Sequence, residues 1–346
     1  MKDIRIYDFE FNLLCIMTDV VSAQWHILYN DVGTFEGRFR LNDSISDIIM
    51  SNKYIVIVQG DLQAVCTGKI VENDLVVCGR TVNWILKKRV RPPFKSKEIF
   101  GEEFVDAETI LLYCLEKGFI APPKITDGVE NLDEVDEKKV VSNFIIPQKT
   151  NPKPLSNHFW RLSANDLEKL SSDLCQKLER GHKVIFDIEN KCWRFEFIYP
   201  KNNETVIAKE AKTAFDFSYS DDILDYSNGG WYAQYSGTGE EEVPWKYIEN
   251  EDALGIYFWD CVLSSQGESE ASDEIIKKSK TNTITTNFRN LKFGIDYNLG
   301  DVFLVYFKFG EFECGDYYMV TGVDIKYSPT QNFENPILKQ SKKLSG

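Results

Sequence analysis

The chain has 346 residues, more than one ordinary hydrophobic core accommodates, so we expect about two to four domains. Its hydrophobic content of 43%, with 23 Phe, 16 Tyr and 7 Trp, excludes a disordered protein and favours β-structure. The 54 Asp and Glu outnumber the 40 Lys and Arg, and the resulting net charge of −14 argues against a protein that grips nucleic acid through its phosphates.

The sequence predicts neither a signal peptide nor a membrane anchor. The first residues, MKDIRIYDFEF, contain no long apolar run, and no stretch approaches the roughly 18 apolar residues of a membrane helix. We therefore expect a protein that is made in the cytosol and stays there or is released by lysis. The eight cysteines are scattered without a C-x-x-C pair, which is typical of reduced core residues.

Residues 1–94 are predicted to form a first tube-like β-barrel. Short apolar runs at 4–7 and 13–17 are typical of a hairpin, and the period-two pattern over 21–29 predicts a strand with Trp25 facing inward. Asn42 can cap a short helix, and a meander follows up to residue 78. We expect a closed or nearly closed barrel, because closure removes the exposed edges of many short strands.

The segment 78–94, CGRTVNWILKKRVRPPF, runs from a strand into a short helix and ends at two prolines, which stop regular structure. Its four cations are Lys87, Lys88, Arg89 and Arg91. Two interpretations stay open for them. They can cap the negative end of the helix and be solvated, or they can contact a neighbouring subunit or an anion.

Residues 95–181 are predicted to be a helical, loop-rich insertion domain. One helix begins at Asp106 and ends before Gly118, and surface loops are expected at 126–139 and 147–154. A second helix opens at Ser163 and Asp166, which resemble a capping box. Its apolar stripe predicts a core face and consists of Leu167, Leu170, Leu174 and Leu178.

Residues 182–330 are predicted to form a second β-barrel, with an inserted segment around 240–282 and a polar C-terminal tail over 331–346. The strand pair at 54–58 and 65–70 has the same pattern as the pair at 302–306 and 320–325, and both include a Thr-Gly pair. This repeat predicts two barrels of one design. The expected fold class is therefore mainly β with α insertions (α+β), with two tube-like barrels and a helical or mixed domain.

No catalytic, cofactor or metal site is predicted, and we expect a protein that is not an enzyme. The chain has no H-E-x-x-H, G-x-S-x-G, P-loop or EF-hand motif. Cys175 and His182 flank a helix end and give no reason to expect a thiolate–imidazole pair. Three acids, Asp221, Asp222 and Asp225, can gather calcium, although a solvated loop or a helix start is the commoner role of such a cluster.

Four segments resemble, in this order, the hub proteins at the distal end of phage tails, which include the baseplate hub and the N-terminal part of tail-associated lysins. They are 78–94, the FDFSYSDDIL stretch at 215–224, the strand and Gly-rich turn at 231–239, and YNLGD at 297–301. Hubs of this family often continue into a peptidoglycan hydrolase, whereas this chain ends at Gly346 without one.

The resemblance implies a homotrimer with two barrels per subunit, giving a ring of six. Such a ring joins the sixfold tail tube or distal tail protein to a threefold spike, fibre or tape-measure protein. It provides an acidic conduit through which genomic DNA passes without specific binding. It also implies a location in a virion or phage-tail-like particle assembled in the bacterial host cytoplasm. The candidate interface residues are Lys87, Lys88, Arg89, Arg91, Trp231 and Trp245.

The alternative is a tail protein that binds or degrades cell-wall or other carbohydrate. The segment between Trp231 and Trp259 is rich in Trp and Tyr, whose rings can stack on sugars if they are exposed.

Overall fold

The fold is given by a computed structural model. It describes residues 3–92, 94–95, 99–101, 105–127, 129–150, 161–162, 165–208, 212–222, 225–234, 244–250, 259–264, 267–278, 281–329 and 332–344. The chain forms two compact units, Met1–Phe217 with Thr286–Gly346, and Ser218–Thr285. The predicted domain borders at 94 and 181 fall inside the first unit and stay predictions.

The N-terminal strands form one antiparallel array, here called module A. They are β1 Ile4–Asp8, β2 Leu13–Met17, β3 Val20–Leu28, β4 Thr34–Arg40, β5 Ile55–Gln59, β6 Leu62–Val71 and β7 Asp74–Thr81. Their hydrogen-bonded order is β3-β4-β7-β6-β5-β1-β2. Helix α1, Asp43–Ser51, lies between β4 and β5, and the predicted cap is confirmed because the Asn42 side chain accepts a hydrogen bond from the backbone N–H of Ile45.

Trp25 on β3 points inward, as its sequence pattern predicts. Its ring is 2% exposed, its Nε1 donates to Oε1 of buried Gln59 at 2.7 Å, and Phe35 on β4 packs with its ring centroid 4.4 Å away. The indole thus buries a large apolar area while its one polar atom keeps a partner.

A mixed α/β region follows module A. Its helices are α2 Trp84–Lys87, α3 Ala107–Leu115, which continues as a π-helical turn over Glu116–Ile120, and α4 Leu167–Lys177. Its strands are β8 Val90–Arg91, β9 Phe94–Lys95, β10 Pro123–Thr126, β11 Val129–Val135, β12 Phe144–Ile145, β13 Arg161–Leu162, β14 Asn165–Asp166, β15 Gly181–Asp187 and β16 Cys192–Ile198.

Two local expectations in this region need correction. The acidic stretch predicted as a loop over 126–139 contains strand β11, which pairs with β10 in a hairpin tied by an ion pair between Lys124 and Glu134 at 2.9 Å. The N-cap of α4 is Asp166, whose carboxylate accepts a hydrogen bond from the backbone N–H of Lys169 at 2.9 Å. Ser163 lies outside the described residues.

The mixed region and module A share one hydrophobic core. Phe11 of module A stacks on Phe186 of β15 with ring centroids 4.2 Å apart. Gln63 of β6 exchanges two hydrogen bonds with the backbone of Phe186, at 2.8 and 2.9 Å. The predicted stripe of α4 lies in this core: Leu167, Leu170, Leu174 and Leu178 are all buried. These two hydrogen bonds of Gln63 fix the position of β15 relative to β6, because shifting β15 by one residue would leave the side-chain amide of Gln63 without these partners.

The C-terminal strands form a second array, here called module B. They are β17 Lys201–Ala208, β18 Ala214–Asp222, β22 Thr281–Phe288, β23 Asp301–Phe309, β24 Phe312–Tyr327 and β25 Asn332–Gln340, in the order β18-β22-β25-β24-β23-β17. Strand β25 corrects the predicted polar tail over 331–346. It pairs with β24 along its length and buries Leu338 completely, so a strand with few apolar residues is held by its neighbours.

Modules A and B share a strand order. The series β3-β4-β7-β6-β5-β1 in module A matches β18-β22-β25-β24-β23-β17 in module B, and in both the three central strands are consecutive in sequence. The last pair differs, because β1 is antiparallel to β5 whereas β17 is parallel to β23. The repeat predicted from the sequence therefore recurs in the topology of the sheet.

The Thr-Gly pair marks the same irregularity in both modules. The register of β6 against β7 shifts between Cys66 and Gly68, and the register of β24 against β25 shifts between Val320 and Gly322. Each shift leaves the intervening Thr without a register partner, which is the pattern of a β-bulge.

The two modules join into one sheet through the long strand β24. Its first part pairs with β23, and its second part, from Gly322 to Tyr327, pairs with β3. Among the described strands the main path runs from β18 to β2 and does not close on itself. The mainly β fold class is confirmed, but the closed or nearly closed barrels that we predicted are not seen in this strand order.

The unit Ser218–Thr285 has its own small core. A three-stranded sheet, β20-β19-β21, consists of β19 Gly229–Ala233, β20 Trp245–Glu249 and β21 Asp260–Val262, and is followed by helix α5, Glu268–Lys277. Tyr232 and Leu263 pack against Ala271 and Ile275 of the helix. Ala271 and Ile275 lie one turn apart, so they form one apolar face of an otherwise polar helix.

Candidate interface surfaces

The predicted basic cluster lies where module A meets α4, and most of its cations are used within the chain. Helix α2 carries Lys87 at its last position. The Lys87 ammonium lies 3.7 Å from Asp31 Oδ1 and 3.6 Å from Glu168 Oε2. Lys87 thus bridges the β3–β4 turn to the first turn of α4.

Glu168 is the unusual member of this site. It is 4% exposed, and its Oε1 has no hydrogen-bond donor among the described residues. Burial raises the pKa of this carboxyl to about 7. The negative charges of Asp31 and Asp166 also raise this pKa, and the positive charge of Lys87 lowers it. Burial with an oxygen that accepts no hydrogen bond disfavours the charged form of a carboxyl group.

Arg89 and Arg91 hold the mixed region to the end of module A. Arg91 is 4% exposed, and its guanidinium lies 2.9 Å from Glu130 Oε1 on β11. Arg89 donates to the carbonyl of Lys139 at 2.6 Å, and its own carbonyl accepts from Leu167 N–H at 2.8 Å. Partial burial lowers the pKa of the Arg89 guanidinium.

Lys88 is different, since its ammonium points outward over the ring of Trp84, 4.4 Å from the centroid. The contacts of Lys87, Arg89 and Arg91 within the subunit are a role that neither interpretation named, and the contact with a neighbouring subunit or an anion stays a prediction. Arg91 is buried and Arg89 is half-buried, whereas Lys87 and Lys88 are both exposed. Of these two lysines, Lys87 lies within ion-pair distance of Asp31 and Glu168, and Lys88 lies over the Trp84 ring.

His182 and Cys175, which flank the end of α4, are both buried. His182 is buried with its ring stacked on Phe195, and burial lowers its pKa to about 4. Burial raises the pKa of Cys175, so both groups are held neutral. His26 lies at the joint of the two modules, with Nδ1 2.5 Å from Asp324 Oδ1 across β3 and β24. His158 lies outside the described residues.

Among the described residues, no three His, Cys, Asp or Glu side chains are placed to hold a metal ion. Asp221 and Asp222 end strand β18, and Asp225 follows in a turn. Within the described part of the chain, no helix has the length and apolar character needed to cross a membrane.

Trp231 and Trp245 lie on the same face of the small sheet, opposite α5. Trp231 on β19 is 44% exposed and Trp245 on β20 is 55% exposed. Tyr247 pairs directly with Trp231 across the strands, with ring centroids 5.1 Å apart and planes inclined by 62°. Here the structure brings two of the predicted interface residues together; the basic cluster belongs to the other compact unit.

A protein-family model described as Siphovirus ReqiPepy6 Gp37-like protein matches residues 3–234, about two thirds of the sequence. The chain belongs to this family of siphovirus tail proteins. The match covers module A, the mixed region and the start of the Ser218–Thr285 unit. The predicted resemblance to phage tail proteins is thereby confirmed at the level of the family.

Solved structures of tail proteins have the same fold as this family member. A prophage tail protein, gp18, from Listeria monocytogenes EGD-e superposes with a TM-score of 0.54 at 14% identity, over 99% of this chain and 95% of that one. The 43 kDa tail protein of prophage MuSo2 from Shewanella oneidensis gives 0.56 at 8% identity, over 99% and 98%. A tail protein from Neisseria meningitidis MC58 gives 0.58 at 9% identity, over 98% and 96%. No curated protein sequence matches.

The sequence did not indicate which residues contact the candidate interface residues within the subunit. In the sequence, Glu168 is an ordinary acidic residue in the first turn of a helix. In the structure it is buried, because α2 packs against α4. Asp260, which accepts a hydrogen bond from the Tyr247 hydroxyl at 2.9 Å, is 13 residues away in sequence. A clearer signal was available in Gly229-Gly230, since two adjacent glycines inside a strand indicate close packing on both faces.

Proposed function

We propose that the chain is a structural hub of a phage tail or tail-derived particle, three copies of which form a ring. The observation that carries the proposal is the shared six-strand order of modules A and B, with the same Thr-Gly bulge in each. Three subunits with two like modules present six similar units around one axis. Such a ring matches a sixfold partner on one side and a threefold partner on the other.

In this proposal the modules act together as a tube wall. Among the described strands, the joined sheet has edges at β2 in module A and at β17 and β18 in module B. In the ring, modules of neighbouring subunits cover these edges. The barrel-like character that the sequence predicts would then belong to the assembled ring. An exposed edge is unfavourable in an isolated subunit because its backbone groups lack partners.

The partners are a tail tube or distal tail protein on the sixfold side and a spike, fibre or tape-measure protein on the threefold side. The net charge of −14 suits a conduit through which genomic DNA passes without adhering. The protein acts by shape and contact rather than by catalysis. It resides in the virion or tail-like particle after assembly in the host cytoplasm.

The test is the mass and shape of the purified full-length chain. Light scattering at high concentration is expected to give about 120 kDa, the mass of three 39.9 kDa chains, and negative-stain micrographs are expected to show rings. A 39.9 kDa monomer at every concentration, with no ring on the grids, would contradict the proposal. A zymogram on peptidoglycan is expected to show no clearing, and a cleared band would contradict the non-enzymatic role.

A further inference from the structure

We propose that the outer face of the β20-β19-β21 sheet binds a neutral saccharide, with Trp231 and Trp245 stacking on the sugar rings. This face, here called the aromatic face, is the side of the sheet opposite α5. The proposal concerns the Ser218–Thr285 unit alone and does not depend on the hub function.

The aromatic face is built on Gly229. A Cβ at this position would lie 1.9 Å from the Tyr247 hydroxyl oxygen, so only glycine leaves room for the Tyr247 ring to lie across β19. The Tyr247 hydroxyl then reaches β21 and donates to Asp260 Oδ1 at 2.9 Å. Burial, followed by this hydrogen bond, raises the pKa of Tyr247 to about 12, so the hydroxyl keeps its proton. The ring is held in place before any ligand arrives.

Two tryptophans flank this ring. Trp231 is the cross-strand partner of Tyr247, and Trp245 pairs with Ala233, two residues further along β19. Residues two positions apart on a strand share a face, so both indoles project to the same side as Tyr247. Val262 on β21 pairs with Trp231 and is 71% exposed, which extends the apolar surface.

The size of the aromatic face favours a small ligand. Strands β19 and β20 have five residues each and β21 has three. With strands about 4.8 Å apart, the face measures at most about 10 by 17 Å. That is a footprint of at most about 170 Å², so a protein partner would have to contact surface well outside this face to bury the roughly 800 Å² per partner of a stable interface. The face therefore suits a ligand of a few rings better than a second copy of the chain.

The charges on the aromatic face select among small ligands. Asp260 and Glu249 lie opposite each other on either side of Gly229, both exposed on the same side as the indoles. Two copies of this face would bring like charges together, and phosphate-bearing polymers would be repelled. Neutral sugar hydroxyls can instead donate hydrogen bonds to the carboxylates, while apolar C–H groups of the sugar rest on the indoles.

The test measures binding of defined oligosaccharides to the full-length protein. The probes are tetramers of N-acetylglucosamine, glucose and galactose, titrated by calorimetry and saturation-transfer NMR up to about 10 mM, a decade above a Kd of about 1 mM. Trp231→Ala and Trp245→Ala are each expected to weaken binding at least about fivefold, and Asp260→Asn is expected to weaken it less. Phe312→Ala removes a comparably exposed ring at 46% exposure in the other unit and serves as the control.

The proposal is supported if the wild-type protein binds at least one tetramer. This binding must be lost in the tryptophan variants and kept in Phe312→Ala. Circular dichroism checks that each variant is folded. No binding of any tetramer to the wild-type protein overturns it, as does binding that survives the Trp231→Ala, Trp245→Ala double variant. Loss of oligomer mass in that double variant, without saccharide binding in the wild type, would also overturn it.

Discussion

At the scale of single residues, Glu168 shows how packing changes the chemistry of an ordinary side chain. Its carboxylate is buried where α2, α4 and the β3–β4 turn converge, with the Lys87 ammonium 3.6 Å from Oε2. The group therefore binds a proton more tightly in the folded protein than in the unfolded chain. Such a difference makes stability depend on pH.

We expect Glu168→Gln to flatten the pH dependence of stability. The pKa rises from 4.5 in the unfolded chain to about 7 in the folded protein, so the stabilising effect of the proton is complete below pH 4.5 and is lost as pH rises through 7. The wild-type protein should lose on the order of 3 kcal/mol across this window from this group. Urea unfolding at pH 5 and pH 8 measures the difference.

The control for this experiment is Glu137→Gln, which changes an exposed acid of the same region. It is expected to keep the pH dependence of the wild type. If Glu168→Gln shows the same fall in stability between pH 5 and pH 8 as the wild type, the carboxyl of Glu168 is not the titrating group.

At the scale of elements, strand β25 is a strand that its apolar pattern does not predict, whereas the two bulges have a signal in the sequence. Strand β25 has few apolar residues, yet it pairs along nearly its whole length with β24. The Thr-Gly pairs, by contrast, are a short sequence signal that marks a defined structural feature in each module. A bulge bends and twists the bulged strand, and its recurrence gives both modules a similar irregularity at the same step of the meander.

We expect Leu338→Ala to destabilise the protein by about 2–5 kcal/mol, because Leu338 is completely buried and its truncation leaves a cavity. Lys339→Ala, on the next and exposed residue of β25, should change stability by less than about 0.5 kcal/mol. Chemical denaturation of both variants measures the difference. Equal, small effects would contradict the burial of Leu338 and favour the predicted polar tail over 331–346.

At the scale of the whole molecule, the basic cluster separates residues that hold the subunit together from one that is available to a neighbour. Arg91 is buried against Glu130, whereas the exposed Lys88 ammonium lies over the ring of Trp84. In the proposed ring, a change at Lys88 acts on assembly and a change at Arg91 acts on folding.

We expect Lys88→Glu to lower the fraction of trimer several-fold while leaving the unfolding temperature of the subunit nearly unchanged, since surface substitutions alter stability little. Arg91→Ala should instead destabilise the subunit by about 3–5 kcal/mol, because it leaves the Glu130 carboxylate without its partner. Light scattering and thermal unfolding on the same samples distinguish the two effects. A Lys88→Glu variant that assembles like the wild type would remove Lys88 from the proposed interface.

The sequence by itself determined the local features of this protein: the inward Trp25, the Asn42 and Asp106 caps, the leucine stripe of α4 and the Thr-Gly repeat. These depend on alternation, helical periodicity and side chains that bond to nearby backbone, which are all readable over a few residues. Only the tertiary structure decided that the barrels stay open in one chain, that β25 is a strand, and that Glu168 is buried. Those outcomes depend on pairing between β24 and β3 and on packing between α2 and α4, which bring together residues far apart in sequence.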